Sequence, residues 1–100
     1  MPFKITLAET AHRQHQALEF DRNKKDWVKL EKVCKCQGYL QINPRHPSLG
    51  THEYSSMRWE NAEKVWEAYA ENRTSSAGRV FWHYGPSYSE ITIVAVTAFP

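Results

Sequence analysis

One hundred residues with 41% apolar content and a formal net charge of +2 describe one folded domain, residues 1–100, with room for a single main core. No apolar run approaches the ~18 residues that cross a bilayer, and the first ten residues lack the basic flank and apolar stretch of a secretion signal, so a cytoplasmic protein with no membrane partner is expected. Residues 1–50 hold nine Lys/Arg against five Asp/Glu and residues 51–100 four against six, a bias short of the basic stripe of a dedicated nucleic-acid binder.

Phe3, Ile5 and Leu7 alternate with Lys4 and Thr6, which predicts a half-buried strand. Thr10 can cap a helix over residues 11–20, with a thin apolar face of Ala11, Ala17, Leu18 and Phe20 and an exit at Asp21-Arg22-Asn23. A second helix starts near Asp26 and runs toward Leu40 and Ile42, with Trp27, Leu30, Val33 and Cys34 at helical spacing. Lys25, Lys29 and Lys32 form its other face, which reads as a solvated stripe or as a surface for phosphate or a partner. Cys34 and Cys36 are too close for an ordinary disulfide framework and lack zinc-knuckle spacing, so they read as free thiols in a reducing compartment, with Cys34 in the core. His12 and His15 lie three apart on one helix but have no third ligand at matching spacing, so neither a metal nor any other cofactor is expected.

Two prolines and a glycine make residues 43–50 a loop of narrow conformation, in which His46 reads as fixed by hydrogen bonds. Residues 51–61 read equally as coil or as an edge strand. Over residues 63–71, Trp66, Ala68 and Ala70 alternate with Val65, Glu67, Tyr69 and Glu71, which predicts a strand, although the alanines and glutamates also suit a helix. After a polar turn at residues 73–77, two runs rich in β-branched and aromatic residues, 79–84 and 90–97, flank Gly85-Pro86-Ser87 and predict an antiparallel hairpin. The order β-α-α-β-β-β gives an α+β two-layer sandwich, a helical hairpin on one face of an antiparallel sheet whose other face is open. Trp66 and Trp82 are expected between sheet and helices.

Alternation along 79–84 sets Arg79, Phe81 and His83 on one face and Val80, Trp82 and Tyr84 on the other. An arginine, an aromatic ring and a histidine in one row are a candidate site, because arginine is rarely buried without a partner. The structural alternative pairs Arg79 with Glu67 or Glu71 across the strands and leaves His83 a surface residue.

The element order, the run Asn43-Pro44-Arg45-His46-Pro47-Ser48-Leu49-Gly50-Thr51-His52 and the later Gly78-Arg79-Val80-Phe81-Trp82 resemble the RelE/ParE toxin superfamily over about residues 30–97. The resemblance implies a toxin neutralised by a cognate antitoxin protein. In the RelE branch such a toxin cleaves mRNA in the ribosomal A site without a metal; in the ParE branch it poisons DNA gyrase. Position by position, Arg79 matches the strand arginine that contacts the scissile phosphate, and His52 or Glu53 falls near an acid/base position. Metal-free cleavage needs a base for the 2′-hydroxyl, a cation for the phosphate and an acid for the leaving oxygen. His52 or Glu53 would then be the base, Arg79 the cation and His83, or Tyr84 from the other face, the acid, while Phe81, Arg45, Lys29 and Lys32 would hold the RNA. Active relatives carry basic, histidine or tyrosine residues after the last strand, where this sequence has Ala98-Phe99-Pro100. A non-catalytic member acting by protein binding, gyrase-directed or degenerate, is therefore the second reading.

Overall fold

The computed structural model describes residues 2–20, 24–70 and 78–96. The expected helix exit at Asp21-Arg22-Asn23, the side chains of Phe20, Lys25, Asp26 and Trp27, Glu71, the turn at 73–77 and Thr97 lie outside the described residues. The chain runs β1 (Lys4–Leu7), α1 (Glu9–Phe20), α2 (Lys24–Ile42), β2 (His52–Arg58), β3 (Lys64–Tyr69), β4 (Arg79–Tyr84) and β5 (Glu90–Val96), with short 3₁₀ turns at Pro47–Leu49 and Glu60–Ala62. Both helices begin two residues before their expected starts, and Thr10 lies inside α1 rather than capping it. No helix among the described residues is long and apolar enough to cross a membrane.

The sheet has five strands in the order β1-β5-β4-β3-β2. It is the expected α+β sandwich with two corrections. Residues 52–58, which local pattern leaves between coil and strand, pair with β3 as the edge strand. The sheet is mixed rather than wholly antiparallel, because β1 runs parallel to β5, Lys4 opposite Glu90 through Leu7 opposite Ile93. The long helical excursion between β1 and the rest allows this, since a parallel pair needs a crossover rather than a tight turn. Residues 64–69 form a strand and not the rival helix, because Trp66, Ala68 and Glu67 pair along their length with Trp82, Val80 and Phe81 of β4.

The main core lies between sheet and helices. Val33, Cys36 and Leu40 of α2, Ala11 of α1 and Leu49 of the loop pack on Ala68, Val80, Trp82, Ile91, Ile93 and Val96. Cys36 therefore faces the core, and Cys34 faces solvent rather than the core as expected. Three residues separate Val33 from Cys36 and four separate Cys36 from Leu40, which is the spacing of one helical stripe. Trp82 is fully buried, but Trp66 is only half-buried at the core's edge.

The second face of the sheet is not open as expected. A bulge opposite Phe81 and Trp82 inserts one residue into β5, so Val94 and Ala95 both serve a small second core with Val65 and Phe81. Tyr54 of β2 and Trp59, just beyond its end, pack against it, and the pairing of β2 with β3 is irregular between Glu53 and Arg58.

Candidate active site

On the helix-free face, β2, β3 and β4 begin or end side by side, and their registers bring three polar side chains together. His52 stands opposite Glu67, and Tyr69 opposite Arg79. Glu67 is buried at 3% exposure and both of its oxygens are engaged. Oε1 lies 2.6 Å from His52 Nε2, and Oε2 accepts from Arg79 Nη1 at 3.1 Å. A carboxylate this deep requires such partners, since an unpaired charge out of water is costly. Tyr69 completes the cluster, its ring 5.6 Å from that of His52 and 5.5 Å from the Arg79 guanidinium carbon.

His52 is held from both sides, because its Nδ1 lies 2.8 Å from the carbonyl oxygen of Gly50. Both contacts are hydrogen bonds only when both ring nitrogens carry protons, as carboxylate and carbonyl oxygens accept and do not donate. Gly50 adopts φ +60°, ψ +35°, a left-handed conformation that suits glycine and turns the chain from the 3₁₀ turn toward His52. The Arg79 side chain is 29% exposed, and its Nε–H is buried without a partner among the described residues. With five N–H donors, one of them bonded to Glu67, it retains hydrogen-bonding capacity for an incoming anion.

The other expected site residues lie elsewhere. His83 shares the Arg79 face, as alternation requires, but is 6% exposed and far from being a surface residue. Its Nδ1 lies 3.1 Å from Glu63 Oε2, and its ring lies 5.6 Å from that of Trp59, tilted by 31°. Phe81 is 2% exposed under an edge-to-face contact with Tyr54 at 5.0 Å, so its ring is covered by protein. Glu53 pairs with Trp66 rather than Glu67 and sits 3.8 Å from both Arg58 and Lys64 at the sheet edge, outside the cluster. Lys32 borders a cavity of about 240 Å³ whose wall includes Tyr69, which places it one residue beyond the cluster. Lys29 is half-buried on the same helix and does not line that cavity. Arg45 lies in the loop on the helix side of the sheet, and His46 is fixed there by Ser48 as expected.

Two members of the cluster were not singled out as functional from sequence. The sequence pattern marks Glu67 only as a structural partner of Arg79, and Tyr69 only as a strand residue. The signal is in the sequence: a glutamate alternating with apolar residues in a central strand calls for a cation on its own face, and Arg79 on the neighbouring strand supplies one. Among the described residues no group of three His, Cys, Asp or Glu gathers as metal ligands.

The structure is thus a two-layer sandwich with a helical hairpin on one face and an Arg–Glu–His cluster on the other. No protein-family model matches the chain, and no curated protein matches its sequence. Solved structures match over nearly its whole length: the YoeB dimer of Staphylococcus aureus at TM-score 0.69 and 9% identity, covering 100% of both chains; a YoeB/ParE toxin of Agrobacterium tumefaciens at 0.70 and 8%, covering 98% and 100%; and the archaeal RelE–RelB complex of Pyrococcus horikoshii OT3 at 0.63 and 10%, covering 97% and 94%. The chain has the fold of the YoeB and RelE toxins.

Proposed function

We propose that this chain is the toxin of a toxin–antitoxin pair and that it inhibits translation by cleaving ribosome-bound mRNA at the face around Arg79. The observation that carries the reading is the buried Glu67 orienting both Arg79 and His52 on the helix-free face of this fold. The remaining donors of Arg79 hold the scissile phosphate and stabilise the charge that grows on it as the 2′-oxygen attacks phosphorus and its proton leaves to solvent water. Glu67 is a positioning residue: with both oxygens committed, it fixes the guanidinium and the imidazole and accepts no proton from substrate. His52 meets acceptors at both nitrogens and has a 43% exposed side chain, so it suits proton donation better than the base role expected from sequence. When substrate displaces the Gly50 carbonyl, the Nδ1 proton passes to the leaving 5′-oxygen while Glu67 keeps Nε2–H in place, the orienting logic of a carboxylate–histidine pair. Lys32, beyond Tyr69, extends the positive surface along which the message runs.

The RelE of Pyrococcus horikoshii is in complex with RelB, and a cognate antitoxin is the corresponding partner here. Induced expression should arrest growth and deplete full-length message, and co-expression of the neighbouring reading frame should restore both. Growth unaffected by the expressed, folded protein would refute the toxin reading.

A second reading has its own support. Phe81 and His83 are sealed under Tyr54 and Trp59, which leaves the nuclease row shorter than the sequence implies. A toxin that binds gyrase needs no acid or base. Growth arrest with intact message and lost supercoiling activity would favour it.

A further inference from the structure

On the opposite side of the sheet, where residues 43–51 cross between α2 and β2, a cavity of about 330 Å³ opens. It lies at the small end of the range for small-molecule sites. Arg45, His46, Gly50 and Thr51 form one wall and Trp66 and Tyr84 the other. Trp66 and Glu67 are consecutive in β3 and point to opposite faces, so the sheet separates this cavity from the Arg79 cluster. The two are nonetheless joined at the edge, because Gly50, which lines the cavity, also receives the Nδ1 contact of His52.

The loop is built to hold a shape. Asn43 Oδ1 accepts from Arg45 N at 3.1 Å, and Thr51 Oγ1 donates to the Pro44 carbonyl at 2.5 Å. The His46 ring lies 4.7 Å from that of Tyr39, and its Nδ1 accepts the Ser48 backbone N–H at 3.2 Å. That bond puts the ring proton on Nε2 and makes that nitrogen a donor. The Arg45 side chain is exposed and forms no ion pair among the described residues. Trp66 and Tyr84 are half-buried and meet edge-to-face at 6.0 Å, leaving aromatic surface on the cavity wall.

We propose that this cavity is a subsite for one unstacked nucleotide of single-stranded RNA, with the base on Trp66 and Tyr84 and the phosphate on Arg45, assisted by His46 Nε2–H. The proposal deepens the RNA-directed reading given above by naming a place for the substrate away from the scissile bond. Aromatic walls beside an unpaired guanidinium match a ligand with a flat π-face and an anionic group joined together. An acidic peptide side chain would engage the guanidinium and leave the rings unmatched.

Binding is read without cleavage, so the two proposals can fail separately. The ¹⁵N-labelled full chain is titrated with adenosine 5′-monophosphate, adenosine and inorganic phosphate, each to millimolar concentration. The monophosphate should shift the Trp66 indole and the amides of residues 43–51, and should bind at least about tenfold tighter than adenosine or phosphate alone. Arg45→Ala should weaken the monophosphate by about tenfold, the share of one charge-assisted bond, and leave adenosine unchanged. Arg13→Ala, in the exposed α1 ion pair with Glu9 and outside both sites, should leave all three unchanged. Phosphate binding as tightly as the nucleotide, shifts confined to other regions, or no shift at all would overturn the subsite, whether or not the protein cuts RNA.

Discussion

Replacing Arg79 with alanine should now cost stability, which an arginine on an open face would not. The Glu67 side chain is 4% exposed and would keep only the 2.6 Å contact with His52 after losing the 3.1 Å bond to Arg79. A hydrogen bond to a charged group contributes about 1.5–3 kcal/mol, and stripping one partner from a fully buried ion pair costs about 3–5 kcal/mol. The lower bracket applies, because the Arg79 and His52 side chains are 29% and 43% exposed and water reaches the cluster. Against a total of about 5–15 kcal/mol for a domain, a loss of about 1.5–3 kcal/mol is readily measured by urea denaturation as a fall in midpoint without change in slope. Arg79→Lys, which keeps the cation but not the fork, should recover much of that loss. Glu67→Gln in the Arg79→Ala background should cost less than it does alone, giving a coupling of at least about 0.5 kcal/mol. Arg79→Ala within about 0.5 kcal/mol of wild type, or strict additivity in the cycle, would refute the reasoning.

Trp82→Ala should cost about 3–5 kcal/mol in the same assay, and Trp66→Ala clearly less, because Trp82 is fully buried and Trp66 lines a cavity. With a thiol-specific alkylating reagent, Cys34 should react in the folded protein and Cys36 only after unfolding, because burial pushes the Cys36 thiol up to about 12. Stability should decline with acid as His15 titrates. Burial lowers its pKa in the fold, against the opposing effect of Glu19 and with a smaller contribution from His12, and the Gln37 amide donates to its Nε2 at 2.8 Å. The unfolded chain therefore binds the proton more readily, so the contribution is complete above 6.5 and is lost as pH falls through the lowered folded value. Thermal melts from pH 8 to 5 check this, and His15→Gln should flatten the decline.

The strands of the hairpin and the two helices were legible because each carries its own period, as in Val80, Trp82 and Tyr84 against Arg79, Phe81 and His83. Edge strand β2 was not, since its exposed Ser55, Ser56, Met57 and Arg58 carry no alternation, and its pairing with β3 is broken by an irregularity. The parallel pairing of β1 with β5 was equally hidden, because register between segments more than eighty residues apart leaves no local trace. At the site, alternation puts Arg79, Phe81 and His83 on one face but does not reveal that Tyr54 and Trp59 cover two of them. That covering depends on the Tyr54 and Trp59 contacts, which only the tertiary fold supplies.

The proposed cleavage of ribosome-bound message at the Arg79 face is open to direct assay. Purified wild type and Arg79→Lys, both confirmed folded, are added to ribosomes programmed with a defined mRNA, and the 5′ ends of the products are mapped by primer extension. Wild type should produce a discrete A-site cut, and Arg79→Lys should slow it by at least about 100-fold, as loss of a transition-state donor does. An intact message with folded wild type, or equal cleavage by the two proteins, would contradict the account.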